Sequence, residues 1–360
     1  MKTWGFGLTG AEHRAFSRSL NRLRVRLLDR VRVMARNDTP RTEDGSGLDT
    51  SSEIERGWTE AWGRACELME GVTRRRVRGA QPGVEIALLD WGGEGDLVLL
   101  QHANGFCAAT LAPIAKALSP RFRVVSLDVR GHGDSTPVEV TGDPDPYDWE
   151  ILAADLRAAV HELLELTRRD RVELAVGHSF SGALLLDSAR KEPGLFGSLL
   201  LCDPVILESE KPGEGEPRPR GPDLAMGARR RRDRFATRAE AYEHFRSRAL
   251  FAKFSPEVLA LYVGEGIAAT ADGGFALKCK PQVEAAIFSS GALKDLSADM
   301  DRVTADVTFL HALRGNFLRE RYDAVAKGIP NARVESLDVG HLFPLEEPER
   351  VLEFIEKRVE

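Results

Sequence analysis

No stretch of this chain approaches the roughly 18 consecutive apolar residues of a membrane-spanning helix, so nothing in it reads as a bilayer span. Cysteine is scarce: residues 66, 107, 202 and 279 are scattered, with no metal-ligand spacing between them. Cys202 lies in an apolar run and reads as buried. We also read no signal peptide, and together these features lead us to expect reduced thiols and a cytoplasmic protein. There is no large excess of charge of either sign. A formal net charge of −6 predicts solubility and gives no reason to expect nucleic-acid binding. No internal repeat is evident. At 360 residues the chain has room for one large α/β domain with an insertion, or for two modest domains.

The first eighty residues differ from the rest. Phe16, Leu20, Leu23, Leu27, Val31 and Met34 fall at helical spacing among many arginines, predicting a basic amphipathic helix. Such a helix suits packing across its own domain, and membrane contact through it is the competing reading. Residues 37–56, rich in Asp, Thr, Ser and Gly, read as a linker, followed by a short helix around 57–71. We therefore take 1–78 as a helical arm and linker, 79–204 and 304–360 as two parts of a core, and 205–303 as a cap between them.

From about residue 84 strands and helices alternate. Strands are expected at 84–91, 97–102, 122–128, 171–177, 197–204, 306–312 and 332–338. Helices are expected at 109–118, 147–167, 183–190, 319–327 and 346–358. This alternation predicts an α/β fold whose mostly parallel sheet is covered by helices on both faces. In such sheets the active site gathers at the carboxyl ends of the strands. The interruption at 205–303 opens with a Pro/Gly/Glu-rich stretch, Glu208–Pro222, and reads as helical through 224–270.

One strand ends in an unusual turn. In Arg171-Val-Glu-Leu-Ala-Val-Gly-His-Ser-Phe-Ser-Gly182 an apolar run stops at small residues around Ser179 and a helix follows. Strand, sharp turn with a serine at its tip, then helix is the nucleophile-elbow pattern, G-x-S-x-G. Here Gly177 and Ser179 fit it, whereas Ser181 occupies the last glycine position and Gly182 follows. A serine hydroxyl needs a base, an orienting acid and an oxyanion hole. His341, in the loop after the last predicted strand, is the candidate base. Asp203, at the end of the strand after the elbow helix, is the favoured acid. The competing place is the loop after 306–312, which holds Asn316 where an acid would be wanted and Glu320 and Asp323 further on. The Phe180 N–H and an N–H of the His102-Ala-Asn-Gly-Phe106 loop would form the oxyanion hole, with Asn104 preferred and Phe106 next. The loop Asp128-Val-Arg-Gly-His-Gly-Asp-Ser135 reads as structural, braced by Arg130 and His132. No residue pattern calls for a cofactor or a metal.

The segments HANGF (102–106), DVRGHGDS (128–135), GHSFSG (177–182) and DVGH with PLEEPE (338–349) together resemble the α/β-hydrolase superfamily. The resemblance spans about 84–358 and implies the α/β-hydrolase fold with a helical cap insertion. It implies a triad in the chain order Ser179, Asp203, His341. The family's acid usually follows the penultimate strand, where this chain has Asn316; some members place it where Asp203 stands.

These observations lead us to expect a cofactor-free serine hydrolase acting on a small or medium-sized ester through an acyl-enzyme. A carbon–carbon bond hydrolase, an acyltransferase on the same triad, and a catalytically silent binding protein are the alternatives. In the cap, Phe251, Phe254, Leu259, Tyr262 and Phe288 are apolar candidates to line a pocket. The basic run Arg229–Arg232 with Arg234 reads as a solvated face, or else as a recogniser of a carboxylate or phosphate. Oligomeric state is not legible.

Overall fold

Short runs rich in Val and Leu, each bounded by turn residues, become strands buried on both faces once helices cover them. In the computed structural model the described residues form one eight-stranded sheet: β1 (Thr73–Arg78), β2 (Glu85–Asp90), β3 (Leu97–Gln101), β4 (Arg123–Leu127), β5 (Val172–His178), β6 (Phe196–Cys202), β10 (Asp306–Arg314) and β11 (Ala332–Gly340). Their order is β1-β2-β4-β3-β5-β6-β10-β11. The strands β1 and β2 are antiparallel to their neighbours and the rest run parallel. The structure describes residues 50–140, 145–206, 224–290, 293 and 296–359. The expected basic helix over 16–34, most of the linker and the Pro/Gly/Glu-rich opening of the cap lie outside the described residues.

Alternation along each strand divides the core into two layers. Leu97 and Leu99 face one side with Ala175, Leu199, Leu201 and Phe309. That layer packs on α3 (Trp149–Thr167), α4 (Phe180–Lys191) and, through Tyr322 and Val325, on α9 (Arg319–Ala326). Val98 and Leu100 face the other side with Val176, Leu200 and Leu310, against α2 (Ala112–Leu118), α10 (Phe343–Glu346) and α11 (Pro348–Val359). In register, Leu99 pairs with Val125 on one flank and Ala175 on the other.

Between β6 and β10 the chain forms the cap. Its helices are α5 (Leu224–Arg229), α6 (Arg238–Arg246), α7 (Pro256–Gly266) and α8 (Pro281–Ser289). The sequence explains where two of them start: the side chains of Thr237 and Ser255 accept hydrogen bonds from the N–H groups of Glu240 and Val258. The expectation of helix throughout 224–270 needs correction. A small antiparallel sheet, β7 (Arg234–Phe235), β9 (Phe275–Leu277) and β8 (Ile267–Ala269), is woven between the helices. Strands of two or three residues are too short to show a period of two.

The expected arm ending at residue 78 is also corrected. The described residues from Thr50 onward form one compact unit. Helix α1 (Thr50–Leu68) begins inside the expected linker, because a run such as Thr50-Ser-Ser-Glu53 suits a helix's first turn as well as a loop. Its Ala61 and Ala65 are buried in the core. Trp58 and Trp62 stack at 5.4 Å and meet the cap: Trp58 lies 5.8 Å from the ring of Tyr242, and Trp62 covers Gly264 of α7. A methyl group on Gly264 would sit 2.0 Å from the Trp62 ring, so only glycine fits there. Arg64 pairs with Glu257 of α7. Strand β1 was not anticipated either. In Thr73-Arg-Arg-Arg-Val-Arg78 only Val77 is buried, so its pairing with β2 leaves no apolar alternation to read.

Candidate active site

The strand β5 ends at His178 and α4 begins at Phe180, leaving Ser179 alone in the turn with φ 59° and ψ −124°. A side chain at positive φ is strained, and the surroundings must hold it there. The Ser179 N–H donates to Cys202 O at 3.0 Å, and its carbonyl accepts from the N–H groups of Gly182 (3.0 Å) and Val205 (3.1 Å). The turn is tight enough to need two glycines. A Cβ on Gly177 would lie 2.9 Å from Gly182 Cα, and one on Gly182 would lie 2.8 Å from Pro204 Cβ. The second glycine is therefore required at 182. At 181 a side chain is tolerated because it points elsewhere: the Ser181 hydroxyl donates to His102 O at 2.5 Å, tying the elbow helix to the loop after β3.

The strands bring His341 and Asp203 to this turn. His341 follows β11, and its Nε2 lies 3.0 Å from Ser179 Oγ. Its Nδ1 lies 2.6 Å from Asp203 Oδ2. Asp203 directly follows β6, at φ 44°, with its N–H donating to Leu310 O of β10 at 2.8 Å. It is fully buried, and its second oxygen accepts from the Ala312 N–H at 3.1 Å. The Tyr322 hydroxyl lies 3.0 Å from both that oxygen and Pro204 O, and its one proton favours the charged acceptor. Burial first, then the Asp203 carboxylate, push the Tyr322 phenol well above its usual range, so it stays a donor. The competing acids do not reach the histidine. Asn316 and Glu320 are exposed, and Asp323 accepts from Arg319. Gly315 leaves room for the carboxylate, since a Cβ there would come 2.6 Å from Asp203 Oδ2.

Sequence reading missed two supports, Tyr322 and His178. The His178 ring packs 5.3 Å from that of His341, and its Nε2–H donates to His341 O at 2.8 Å. Burial, and then the neighbouring His341, lower its pKa to about 3, so it is a neutral donor. A histidine before the serine is the visible signal; its target becomes apparent only once β11 docks.

The loop after β4 is braced by Arg130 and His132 as the sequence suggested, and it in turn holds the loop after β3. The Gly105 N–H donates to His132 Nε2 at 3.0 Å, and the Val129 N–H donates to His102 Nε2 at 3.0 Å. Arg130 is fully buried in a two-pronged pair with Asp155, at 2.7 and 2.9 Å, and also donates to Gln81. Burial lowers the pKa of His102 to about 4 and that of His132 to about 3, and raises that of Asp128 to about 6. Asn104 sits with its Nδ2 donating to Glu284 O of α8 at 3.0 Å. Phe180, as the first residue of α4, has an N–H with no intrahelical acceptor.

In the cap, the rings of Phe251, Phe254 and Tyr262 gather on Phe106, at 6.2, 5.9 and 5.5 Å. Leu259 is buried in the same layer, whereas Phe288 packs apart with Ala225, Ala228 and Ala285. The arginine run is divided among local partners. Arg229 reaches Ser289, Arg231 pairs with Glu284 and donates to the Tyr262 hydroxyl, Arg232 pairs with Glu240, and Arg234 with Asp272. Among the described residues no three His, Cys, Asp or Glu side chains gather as metal ligands, and no helix is long and apolar enough to cross a membrane.

Comparison with known proteins agrees with this architecture. The non-heme chloroperoxidase CPO-A1 of Kitasatospora aureofaciens is 35% identical over 142 residues, which is 38% of this chain and 47% of that protein. The peroxisomal membrane protein LPX1 of Saccharomyces cerevisiae is 26% identical over 145 residues, 38% of each chain. The matches thus span less than half the length of these curated relatives. The crystal structure of the latter protein, the peroxisomal alpha-beta-hydrolase Lpx1, superposes with a TM-score of 0.63 at 16% identity, covering 80% of this chain and 87% of that one. The structure of E-2-(acetamidomethylene)succinate hydrolase superposes with a TM-score of 0.62 at 20% identity, covering 79% and 98%. A family model matches residues 97–354, from β3 into the last helix, and by that match the chain belongs to the alpha/beta hydrolase family.

Proposed function

We propose that the protein is a serine hydrolase that cleaves a small or medium-sized carboxylic ester through an acyl-enzyme. The observation that carries this reading is the line Ser179 Oγ, His341 Nε2 at 3.0 Å, His341 Nδ1, Asp203 Oδ2 at 2.6 Å. In it, Ser179 Oγ attacks the ester carbonyl carbon while His341 Nε2 takes the hydroxyl proton. The buried Asp203 carboxylate holds the imidazole with its proton on Nδ1 and stabilises the imidazolium as it forms. The negative charge gathering on the carbonyl oxygen is met by the N–H groups of Phe180 and Asn104. When the tetrahedral intermediate collapses, the Nε2 proton leaves with the alcohol. His341 then draws a proton from water, hydroxide adds to the acyl carbon, and Ser179 leaves with the proton returned. The aromatic group on Phe106 supports an apolar acyl or alkyl portion in the substrate.

The test uses p-nitrophenyl esters of increasing acyl length. Ser179→Ala is expected to lower kcat by several orders of magnitude, roughly 10⁴-fold or more, as in enzymes stripped of their nucleophile. A fluorophosphonate probe is expected to label the wild type and not the variant. Equal turnover by Ser179→Ala would end the proposal. Product analysis with added alcohols and amines separates a hydrolase from an acyltransferase.

A further inference from the structure

We infer that Asn104 is a positioning residue, through which helix α8 of the cap sets the oxyanion-binding loop; this rests on the serine-hydrolase reading above. An oxyanion donor works only when its N–H is aimed to within a few tenths of an ångström, and a loop cannot hold such an aim unaided. At Gly105, where φ is 81°, the backbone has no side chain with which to anchor itself. Its neighbours do the anchoring. The Asn104 side-chain amide donates to the main-chain carbonyl of Glu284 at 3.0 Å. The Gly105 N–H is held by His132 at 3.0 Å. The Phe106 ring is enclosed by Phe251, Phe254 and Tyr262. Two of these three anchors belong to the cap.

The acceptor is itself fixed. The Glu284 carboxylate lies over Gly105, where a Cβ would come 2.6 Å from Oε1 and 3.4 Å from the Arg231 guanidinium. Arg231 pairs with that carboxylate and donates to the Tyr262 hydroxyl, and Tyr262 closes the circuit by packing on Phe106. Both members of the ion pair are largely buried, with side chains 18% and 12% exposed, so the pair neutralises itself and joins α8 to the rest of the cap. A cap displaced from this seat carries Glu284 O away and takes the Asn104 N–H out of aim. The cap therefore completes the hole as well as covering it.

Asn104→Ala separates the tether from the donor, because the backbone N–H remains. Its kcat on the best p-nitrophenyl ester is expected to fall about 10- to 100-fold, the cost of a donor misplaced by about an ångström. KM is expected to stay within about twofold, since the ground-state contacts are untouched. A trifluoromethyl ketone of the same acyl chain, whose adduct with Ser179 carries the oxyanion, is expected to lose affinity by the same factor as kcat/KM. A merely structural role would not move these two quantities together. Asn104→Asp, which turns a carboxylate toward the carbonyl, is expected to lose at least as much. If Asn104→Ala fails to fold, Asn104→Ser, too short to reach the carbonyl, is expected to show the same split. A folded variant with kcat within twofold of the wild type, or with only KM raised, would overturn the inference. Ser179→Ala measured alongside keeps the two readings apart: if it retains turnover the hydrolase proposal fails, and if it is dead while Asn104→Ala is unimpaired only the tether fails.

Discussion

Replacing Asp203 by asparagine tests the site at its most informative point. The carboxylate makes three kinds of contact: Oδ2 faces His341 Nδ1, and Oδ1 accepts from Ala312 N–H and lies 3.0 Å from the Tyr322 hydroxyl. An amide has one oxygen for these demands. The backbone donor at Ala312 and the phenol fix that oxygen in the Oδ1 place, which leaves the NH₂ group pointing at His341 Nδ1. The imidazole must then accept on Nδ1 and carry its proton on Nε2, toward Ser179, where a base is needed. Shape and packing are preserved while the tautomer is wrong. In the trypsin-like template this change costs about 10⁴-fold in kcat, or about 5 kcal/mol of transition-state stabilisation. We expect a loss of that order here, with KM within a few-fold and an unchanged melting temperature. Glu320→Gln, on an exposed side chain, is the matched control and is expected to be silent. The assay is p-nitrophenyl ester hydrolysis at saturating substrate. An Asp203→Asn enzyme within tenfold of the wild type, or a Glu320→Gln enzyme with the greater loss, would refute the reasoning.

Two further outcomes follow from burial. His102, His132 and His178 have folded pKa values of about 4, 3 and 3 against an ordinary 6.5, so below about pH 6.5 the unfolded chain binds protons that the folded chain does not. Each then removes stability as pH falls, while Asp128, raised from 3.8 to about 6, binds its proton in the folded state and offsets one of them between those values. The net loss is about 3 kcal/mol per pH unit near pH 5; urea melts at pH 7 and pH 5 with equal midpoints would contradict it. Trp62→Ala removes a half-buried ring from Gly264 and is expected to cost about 2 kcal/mol in urea denaturation. A cost below about 0.5 kcal/mol, the range of ordinary surface changes, would show that α1 does not unfold with the cap.

The parts legible in the sequence are those whose signal is local. Val172, Leu174 and Val176 announce a buried strand by themselves, and the small residues at 177–182 announce the turn. The choice of Asp203 was partly legible, as an acid at the end of a strand. What selects it is pairing between β6 and β10, which puts Ala312 N–H on its second oxygen. Strand β1 was not legible because its arginines face solvent, and edge pairing sets no hydrophobic period. The contacts of Asn104 were hidden for another reason. Its partner Glu284 lies in the cap, 180 positions away, and a main-chain carbonyl leaves no trace in a sequence.

The location of Asp203 directly after β6 also has a consequence for the order in which the chain is made. Serine and carboxylate come from adjacent strands linked by a single helix, so both are synthesised before the cap. The histidine arrives almost last, after β11, with only the C-terminal helices still to come. A nascent chain therefore carries the elbow for nearly half of its synthesis without the histidine proposed to activate it. On the triad proposed above, Ser179 meets its base only when the final strand of the sheet is in register, so an unfinished chain lacks the pair on which acylation would depend.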